Sequence, residues 1–525
     1  MKLAAIDIGT NSIHMIIVEA IAQRNFEVIE REKEMVKLGV GVFATSRLSD
    51  RAFELGLKTI QRYVELAEQI GVDEVITAAT SAIREAQNGE AFLNEVVRRT
   101  GLSPKIISGK EEARLIFLAV RNSIALEDDT ALVLDIGGGS TEAAVGNRSD
   151  VLFGDSMELG VLRLLDMFED KGPVGREGRS VLEAHIRSIA QGTLERVRDM
   201  GFHRVIGTSG TIRTLGEAAL KASGRSLRSL NAEVVQLEDL EALTERLLEK
   251  EMDERAKVEG ISYKRADAIH LGGVLLGQLL TAVGVREITL CEASLREGMI
   301  LDYLERNASK VGSFPIPASL RYRRAAQLAQ KYRSDWQRNC HIADLALQLF
   351  DQTQTVHGYG KFERELLEFG ALLHDVGQFI SFSKHHKNSR YIINRTDPRG
   401  FTDEEILLIG HLARYHCKAA PTKKHKKFRR LPKDHRHRVQ ILSGMLRIAV
   451  ALDKTKNQRA VTVTCQVSEE TLAIIVAGAD NLDLEIWAAQ RERQVLAQAL
   501  GREVEICSAL CSLRPRRSPL VAERA

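Results

Sequence analysis

The chain has 525 residues, of which 28% are charged and 44% hydrophobic, and its formal net charge is +3. This length is too great for one hydrophobic core and predicts roughly three to four domains. A net charge so close to zero excludes global charge as the source of any affinity for anions, which must come from local clusters.

Cysteine usage, the N-terminus and hydropathy together predict a cytoplasmic protein without a membrane span. The six cysteines show no C-x-x-C spacing, which favours reduced thiols over disulfides or a zinc knuckle. Met1-Lys2-Leu3 leads directly into a predicted strand, without the pattern of a signal peptide. The longest uncharged stretch, residues 268–285, contains His270, Gln278 and four glycines, which predicts a closely packed buried helix.

Residues 1–125 alternate strand and helix patterns, which predicts an α/β layer. The predicted strands are Lys2–Ile8, Met15–Ala20, Phe26–Lys33, Glu74–Thr80 and Lys105–Ser108, and the helices are Asp50–Ile70, Gly89–Thr100 and Lys110–Asn122. Residues 126–306 repeat the theme, with strands at Ala131–Asp135, Glu142–Val145, Asp150–Glu158, Arg204–Thr208 and Glu287–Leu290. The chain therefore begins with two related α/β lobes.

The pattern changes after the second lobe. Residues 307–319 break all periodicity and contain two prolines, which predicts a linker. Residues 320–457 have helical apolar spacing nearly throughout and predict an all-α domain. Residues 458–512 predict a small α+β domain with strands Val461–Val467, Leu472–Val476 and Glu503–Cys507 and a helix Asn481–Leu500, and residues 513–525 predict a disordered tail.

Two loops at strand ends are the strongest functional signal. The first is Asp7-Ile8-Gly9-Thr10-Asn11-Ser12, and the second is Asp135-Ile136-Gly137-Gly138-Gly139-Ser140-Thr141. Glycine lets backbone N–H groups approach an anion closely, and the aspartate is suited to hold a divalent cation that bridges to phosphate oxygens. The loops predict a duplicated phosphate clamp that grips one phosphate chain from both sides. Its candidate phosphate-binding residues are Gly9, Thr10, Asn11, Ser12, Gly137, Gly138, Gly139, Ser140 and Thr141.

A third loop, Gly207-Thr208-Ser209-Gly210-Thr211, ends a predicted strand and opens a helix. Such a junction offers free amides and the positive end of the helix dipole to an anion. Alone it is more typical of an ordinary helix cap. Its chemistry matches the other two loops, so Gly207, Ser209, Gly210 and Thr211 are added to the phosphate-binding candidates.

The order of these loops resembles the actin, hexokinase and acetate-kinase superfamily. Within it, four segments are similar to the exopolyphosphatase and guanosine pentaphosphate phosphohydrolase family: Asn11-Ser12, residues 107–115 (Ile-Ser-Gly-Lys-Glu-Glu-Ala-Arg-Leu), residues 135–142, and residues 265–273 (Arg-Ala-Asp-Ala-Ile-His-Leu-Gly-Gly). The resemblance covers residues 1–305 and, more loosely, the helical domain. It implies two duplicated actin-like, that is ribonuclease H-like, lobes.

The resemblance also implies roles for charged residues. Ser108 and Glu111 fit a capping box at the start of a helix, which leaves Glu112 without a local structural role, and the catalytic glutamate of the family aligns with Glu112. The alternative is that both glutamates only favour the helix dipole. The family places an anion-binding arginine at Arg84, where the alternative is a solvated helix arginine. Asp135, Glu142 and Asp7 are the candidate ligands of Mg²⁺, which needs few carboxylates beside substrate phosphates.

The helical domain contains the order His341, His374-Asp375 and Asp453, which resembles the metal-dependent HD phosphohydrolases. One interpretation is a second divalent metal with its own phosphohydrolase activity, and the other is a helical scaffold whose ligands are only packed. His385, His386 and His411 are candidates to supplement a metal site. The spacing leaves both interpretations open.

Between Arg414 and Arg438 there are eleven Lys or Arg residues against one acidic residue. A linear polyanion would be drawn along such a stretch by counterion release, whereas the alternative is a solvated surface. The candidate track consists of Lys418, Lys423, Lys424, Lys426, Lys427, Arg429 and Arg430. Nucleic acid is disfavoured because only Tyr415 and Phe428 are available to stack on bases.

These features predict a cytoplasmic Mg²⁺-dependent exopolyphosphatase in which Glu112 activates water. Two alternatives are hydrolysis of guanosine pentaphosphate to the tetraphosphate and a sensor that binds polyphosphate or nucleotide without turnover. An actin-like ATPase or sugar kinase is disfavoured because Asn11-Ser12 and Glu111-Glu112 match the hydrolase family. The resemblance also implies a homodimer joined through the helical domain.

Overall fold

The computed structural model describes residues 1–22, 25–126, 129–168, 173–225, 227, 229–307, 319–396, 400–478 and 481–509. The chain divides into two compact units, Met1–Leu320 and Arg321–Ala525. Residues 308–318 of the predicted linker and all of the predicted tail lie outside the described residues.

The first lobe is a mixed sheet with helices packed on it. Its strands are β1 (Lys2–Ile8), β2 (Ile13–Ala22), β3 (Asn25–Glu34), β4 (Glu74–Ala79) and β5 (Lys105–Ile106), and its helices are α1 (Val42–Thr45), α2 (Asp50–Ile70), α3 (Ser81–Glu85), α4 (Gly89–Thr100) and α5 (Gly109–Arg121). The sheet order is β3-β2-β1-β4-β5, in which β1, β2 and β3 are antiparallel while β4 and β5 run parallel to β1.

The second lobe repeats this arrangement. Its strands are β6 (Ala131–Ile136), β7 (Thr141–Gly146), β8 (Val151–Met157), β9 (Arg204–Thr208), β10 (Val234–Gln236) and β11 (Glu287–Leu290). Its helices are α6 (Val161–Phe168), α7 (Arg176–Met200), α8 (Ser209–Ala222), α9 (Leu237–Leu248), α10 (Met252–Arg255), α11 (Ile269–Val283) and α12 (Leu295–Arg306). The order β8-β7-β6-β9-β11-β10 matches the first lobe strand by strand, with β10 added at the edge. The predicted duplication of the lobe is therefore visible in the topology.

Helix α5 connects the lobes and positions the site. Its apolar face shares one buried cluster with β1 of the first lobe and with β6 and α12 of the second. The contact with α12 is close, because a Cβ added at Gly298 would lie 2.0 Å from the carbonyl oxygen of Leu115. A helix packed so tightly on both sides has little freedom to move, so the charged residues in its first turn are held in place.

The second unit is helical and ends in a small sheet. Its helices are α13 (Leu320–Lys331), α14 (Trp336–Gln352), α15 (Gln354–His357), α16 (Lys361–Leu373), α17 (His385–Ile393), α18 (Asp403–Tyr415), α19 (Lys426–Arg429), α20 (Lys433–Leu452), α21 (Asp483–Glu492) and α22 (Gln494–Leu500). The strands β12 (Ala460–Val467), β13 (Thr471–Gly478) and β14 (Glu503–Ser508) pack into the same apolar core as the helices. The helix predicted over Asn481–Leu500 is divided in two at Arg493.

The uncharged stretch near the end of the second lobe forms α11, whose side chains are largely buried in the core of that lobe. In the described part of the chain, no helix has the length and apolar character needed to cross a bilayer.

Candidate active site

The first glycine loop joins β1 to β2 and is a tight turn. A Cβ added at Gly9 would lie 2.8 Å from the carbonyl oxygen of Ser12, so the turn requires glycine at this position. The antiparallel register pairs Asp7 with His14, and the His14 Nε2 atom lies 2.5 Å from Ser12 Oγ. The turn therefore places a carboxylate, a hydroxyl group and an imidazole at one end of the sheet.

The second glycine loop has the same geometry in the second lobe. The register of β6 and β7 pairs Asp135 with Glu142, in the position that His14 takes opposite Asp7. The two loops face each other closely, because a Cβ added at Gly138 would lie 2.9 Å from Thr10 Cγ2. The predicted opposition of the two loops is thus present in the structure.

The third loop closes another side of the same cleft. Ser209 begins α8 with a positive φ of 81°, and its Oγ atom accepts a hydrogen bond from the Thr211 amide at 3.2 Å. A Cβ added at Gly210 would lie 1.9 Å from Arg265 Nη2, so the arginine lies directly against this glycine. The helix N-terminus and the guanidinium together supply positive charge to the cleft.

Residues of all three loops line a cleft with about 750 Å³ of empty space, counting its open mouth. Four carboxylates line it: Asp7, Glu112, Asp135 and Glu142. The Glu112 side chain is 10% exposed, and its Oε2 atom has no hydrogen-bond partner among the described residues. Asp7 Oδ1 is also buried and lacks a partner within the described ranges.

Burial and mutual repulsion make these acids weak. Burial raises the pKa of Asp7 to about 6, and it raises the pKa of Asp135 well above the usual range, with the charges of Glu142 and Asp7 adding to the effect. The pKa of Glu112 is raised well above its ordinary value, first by burial and then by the Glu142 charge, while Arg84 opposes the shift. Such a group of unneutralised acids is a favourable place for a multivalent cation.

Arg84 approaches Glu112 from α3. Its Nη1 atom lies 3.5 Å from Glu112 Oε2 and donates a hydrogen bond of 2.7 Å to the carbonyl oxygen of Ile107. The Arg84 side chain is 26% exposed. Arg84 therefore lies beside the cleft residue Glu112, and its predicted role in binding phosphate stays a prediction.

Positive charges gather around His14 and Arg265, which also line the cleft. Burial lowers the pKa of His14 well below its ordinary value, and the charges of Arg296, Lys33, Arg265 and Arg213 lower it further. The Nε atoms of Arg213 and Arg296 are buried and have no hydrogen-bond partner in the described part of the chain. Cations that repel one another in this way favour the binding of an anion between them.

Comparisons with known proteins agree with this site. Residues 16–307 match the Ppx/GppA phosphatase family, and residues 320–500 match domain III of the Ppx/GppA phosphatases. The guanosine-5'-triphosphate,3'-diphosphate pyrophosphatase of Aeromonas hydrophila is 30% identical over 410 residues, which are 78% of this chain and 79% of that protein.

The chain belongs to the Ppx/GppA phosphatase family.

Two solved structures show the fold of this family. The exopolyphosphatase of Cytophaga hutchinsonii is 27% identical with a TM-score of 0.55, and the match covers 59% of this chain and 99% of that one. The Ppx/GppA family member of Aquifex aeolicus is 26% identical with a TM-score of 0.51, and the match covers 58% of this chain and 99% of that one. The chain thus has the actin-like Ppx/GppA fold with mixed α/β sheets, followed by a helical C-terminal region, and it is a phosphoanhydride hydrolase by family.

Two of the predicted phosphate-binding residues do not line the Ppx/GppA cleft. Thr141 is fully buried and donates a hydrogen bond to the carbonyl oxygen of Leu159 at 2.5 Å. Gly207 lies within β9, where an added Cβ would be 2.6 Å from Ile212 Cγ2 and from Ile288 Cδ1. Both residues have packing roles. The other predicted residues of the three loops line the cleft; they are Gly9, Thr10, Asn11, Ser12, Gly137, Gly138, Gly139, Ser140, Ser209, Gly210 and Thr211.

The predicted capping box of α5 is only half formed. Ser108 Oγ accepts a hydrogen bond from the Glu111 amide at 3.2 Å, as expected for an N-cap. The Glu111 carboxylate, however, binds the guanidinium of Arg114, which also reaches Asp302. Glu111 therefore has a structural partner other than the predicted one, and Glu112 remains the glutamate of this pair that lines the cleft.

Sequence reasoning missed His14 and Arg265 as cleft residues. A signal for His14 was available, because it follows Asp7 at the same spacing as Glu142 follows Asp135 in the duplicated hairpin. Arg265 belongs to a segment that carries the family resemblance, but its position against Gly210 depends on the packing of two elements that are far apart in sequence.

In the region that matches domain III, an arginine side chain pairs with two carboxylates of the predicted HD-type metal site. Arg338 Nε donates a hydrogen bond of 2.7 Å to Asp453 Oδ2, and its Nη1 atom lies 3.6 Å from Asp375 Oδ2. A guanidinium thus neutralises the two carboxylates of the predicted set His341, His374, Asp375 and Asp453. This buried ion pair favours the other interpretation of the sequence, a helical scaffold, and a metal at this set stays a prediction.

The predicted polyanion track is exposed on the second unit. All seven residues lie on its surface, in the segment that follows α18 and in and around α19: Lys418, Lys423, Lys424, Lys426, Lys427, Arg429 and Arg430. Their exposure agrees both with a binding surface and with an ordinary solvated surface.

Proposed function

We propose that the protein is an exopolyphosphatase that removes terminal orthophosphate from inorganic polyphosphate. The observation that carries this proposal is the buried Glu112 carboxylate, whose Oε2 atom has no hydrogen-bond partner among the described residues and which lines the cleft between two opposed glycine loops. A carboxylate held in this way is suited to take a proton from a water molecule. The oxygen of that water bonds to the terminal phosphorus, the bridging P–O bond breaks, and the shortened chain leaves as a phosphate anion.

The donor set fits Mg²⁺ held by Asp135, Glu142 and Asp7. These side chains are oxygen ligands whose pKa values are raised by burial, and the buried Asp7 Oδ1 has no partner in the described ranges. Mg²⁺ prefers oxygen ligands and keeps its remaining positions for water and substrate phosphate. When bound, the ion supplies positive charge to the oxygens of the phosphoryl group.

The chain itself provides the remaining contacts to phosphate. Backbone amides of the two glycine loops and the hydroxyl groups of Ser12 and Ser140 bind the terminal phosphate from both sides. Arg84, which lies 3.5 Å from Glu112, stabilises the charge that develops on the transferred group. The cations around Arg265 receive the following phosphates of the chain.

The basic surface of the second unit is proposed as a further binding surface for polyphosphate. We also infer an HD-like helical scaffold for this unit, without the HD metal set, followed by the small α+β region. A homodimer formed through this unit would extend the track by pairing two such surfaces. The proposed location is the cytoplasm.

A second candidate is hydrolysis of guanosine pentaphosphate to the tetraphosphate. It is favoured by the 30% identity to the guanosine-5'-triphosphate,3'-diphosphate pyrophosphatase of Aeromonas hydrophila. The glycine loops and Glu112 would serve both reactions, because each substrate presents a terminal phosphoanhydride. A third possibility, a sensor without turnover, predicts binding without release of phosphate.

Release of orthophosphate from long-chain polyphosphate and from guanosine pentaphosphate, measured side by side with Mg²⁺, tests the proposal. A higher kcat/KM on polyphosphate supports the exopolyphosphatase, and a higher value on guanosine pentaphosphate supports the second candidate. Binding of both substrates without cleavage of either identifies a sensor and contradicts both enzymatic proposals.

A further inference from the structure

Three helix ends in the second unit bring histidines and a cysteine together. His374 follows α16, His385 and His386 begin α17, and His416 and Cys417 follow α18. We call these five residues the His/Cys cluster. The ligand atoms of His385, His386 and Cys417 all lie within 4.8 Å of one another. The cluster lies in the second unit and uses none of the active-site residues of the first unit, so it is independent of the proposed function.

The backbone fixes the tautomers of three of these imidazoles. The Nδ1 atoms of His374, His385 and His416 each lie 2.7 to 2.8 Å from the carbonyl oxygen of the residue three positions earlier in the chain. A carbonyl oxygen only accepts hydrogen bonds, so each Nδ1 atom must carry the proton. In the neutral ring, Nε2 then holds an unshared electron pair, which is the arrangement found in histidines that bind metals.

Two of these electron pairs point at each other. The Nε2 atoms of His385 and His416 are 3.1 Å apart, although neither carries a proton in the tautomers set by the backbone. Two acceptors at this distance repel each other unless a cation lies between them. His416 is 3% exposed, so bulk water does not relieve the repulsion. His386 is 5% exposed, and its buried Nδ1 has no hydrogen-bond partner in the described part of the unit.

Two distances within the cluster, both from His385 Nε2, fit a tetrahedral metal. With ordinary Zn–N and Zn–S bond lengths, two tetrahedral nitrogens lie about 3.3 Å apart and a nitrogen and a sulfur about 3.6 Å apart. The structure has 3.1 Å between the His385 and His416 Nε2 atoms and 3.7 Å between His385 Nε2 and Cys417 Sγ. The ring centroids of His374 and His416 lie 4.8 Å apart, so His374 is a further imidazole within the cluster.

We propose that the His/Cys cluster binds one divalent transition metal of the zinc type through His385, His416 and Cys417, with a third imidazole, from His374 or His386, as the fourth ligand. Imidazole and thiolate ligands select such metals over Mg²⁺. The metal joins the ends of α16, α17 and α18, and its function is structural because protein ligands fill all four positions.

The test is a titration of the untagged full-length protein with Co²⁺ alone, after treatment with a chelator and in the presence of excess Mg²⁺. A cobalt–thiolate charge-transfer absorption reports on a cysteine ligand, because the carboxylates of the first unit offer no sulfur, and the C417S variant identifies which cysteine it is. We expect one Co²⁺ per chain with this absorption, and we expect Zn²⁺ to displace it.

Variants separate the cluster from other histidines and thiols. C417S should lose the charge-transfer absorption, and H416Q should weaken Co²⁺ binding by about tenfold or more. The matched controls C465S and H437Q should keep both. The proposal is overturned if the wild-type protein shows no charge-transfer absorption, or if the absorption survives in C417S. Because C417S is nearly isosteric, its circular dichroism is expected to match the wild type, which keeps the test valid even if H416Q does not fold.

Discussion

The two glycine loops lie so close together that one added methyl group, as in G138A, should push them apart. In the wild-type protein, Gly138 of the second lobe faces Thr10 of the first lobe. The added Cβ would lie 2.9 Å from Thr10 Cγ2, 3.1 Å from Thr10 Cβ and 3.4 Å from Asn11 Cβ. The first two distances are shorter than ordinary contacts between carbon atoms, so the loops must move apart.

The size of the effect follows from these distances. Relieving contacts of 2.9 and 3.1 Å requires the loops to separate by about 0.5 to 1 Å, since carbon atoms prefer about 3.5 to 4 Å. A misplacement of about 1 Å in the reacting geometry lowers the rate by about 100-fold, so we expect kcat to fall by about 10- to 100-fold. The overpacking should cost about 1 to 3 kcal/mol of unfolding free energy, which leaves the protein folded.

The assay is steady-state release of orthophosphate from polyphosphate, combined with thermal unfolding. T10S removes Cγ2, the closest atom, and keeps the Oγ1 atom that accepts a hydrogen bond from the Ala82 amide at 3.2 Å. The double variant G138A/T10S should therefore recover part of the lost activity. G192A is the matched control, because its Cβ meets nothing within 4 Å in α7, and it should keep full activity with about 0.5 to 1 kcal/mol of added stability. Wild-type activity in G138A would refute the reasoning.

Further substitutions test the electrostatics. R84M should lower kcat by about 100-fold or more. It should also shift the acidic limb of the pH–rate profile to higher pH, because the Arg84 charge lowers the pKa of Glu112 in the wild-type protein. An acidic limb at the wild-type pH would contradict this expectation. In the presence of a chelator, folded Asp7 with a pKa of about 6 binds its proton more tightly than the unfolded chain does, so wild-type stability should fall as pH rises from 4 to 7. D7N should reduce this dependence without removing it, because the pKa values of Glu112, Asp135 and Glu142 are also raised, and it should be more stable than the wild type at pH 8 by up to about 3 kcal/mol, as measured by urea unfolding. R338M should lower the free energy of unfolding by about 3 to 5 kcal/mol, because it leaves the fully buried Asp453 carboxylate without its ion-pair partner. The double variant R338M/D453N should recover most of this loss. Stabilisation of R338M by a divalent metal would support the HD-type metal site.

Much of the fold could be predicted because local patterns determine it. Helix α2 begins and ends at the predicted residues, with Ser49 as N-cap and Gly71 in the left-handed conformation after its last turn. The duplication was visible because each lobe opens with a strand, an acidic residue and a glycine turn. The break at Arg493 was missed because residues 481–500 have continuous helical spacing.

The site residues could be predicted where neighbouring residues in the sequence show their chemistry. The cleft residues on the glycine loops and Glu112 carry their own signals, namely carboxylates, glycines and hydroxyl groups beside strand or helix ends. The ion pairs of Arg338 with Asp375 and Asp453 were not predictable, because the linear order of histidines and aspartates does not show that an arginine lies between these carboxylates. Contacts between residues so distant in sequence depend on the packing of whole helices.

The proposed reaction depends on Glu112, which activates the water that attacks the terminal phosphate. The most direct measurement compares orthophosphate release from polyphosphate by E112Q with that by E111Q, its neighbour, whose carboxylate binds Arg114. We predict that E112Q loses about 10²- to 10⁴-fold in kcat while it still binds polyphosphate, and that E111Q remains close to the wild type. An E112Q variant that releases phosphate at the wild-type rate would contradict the account.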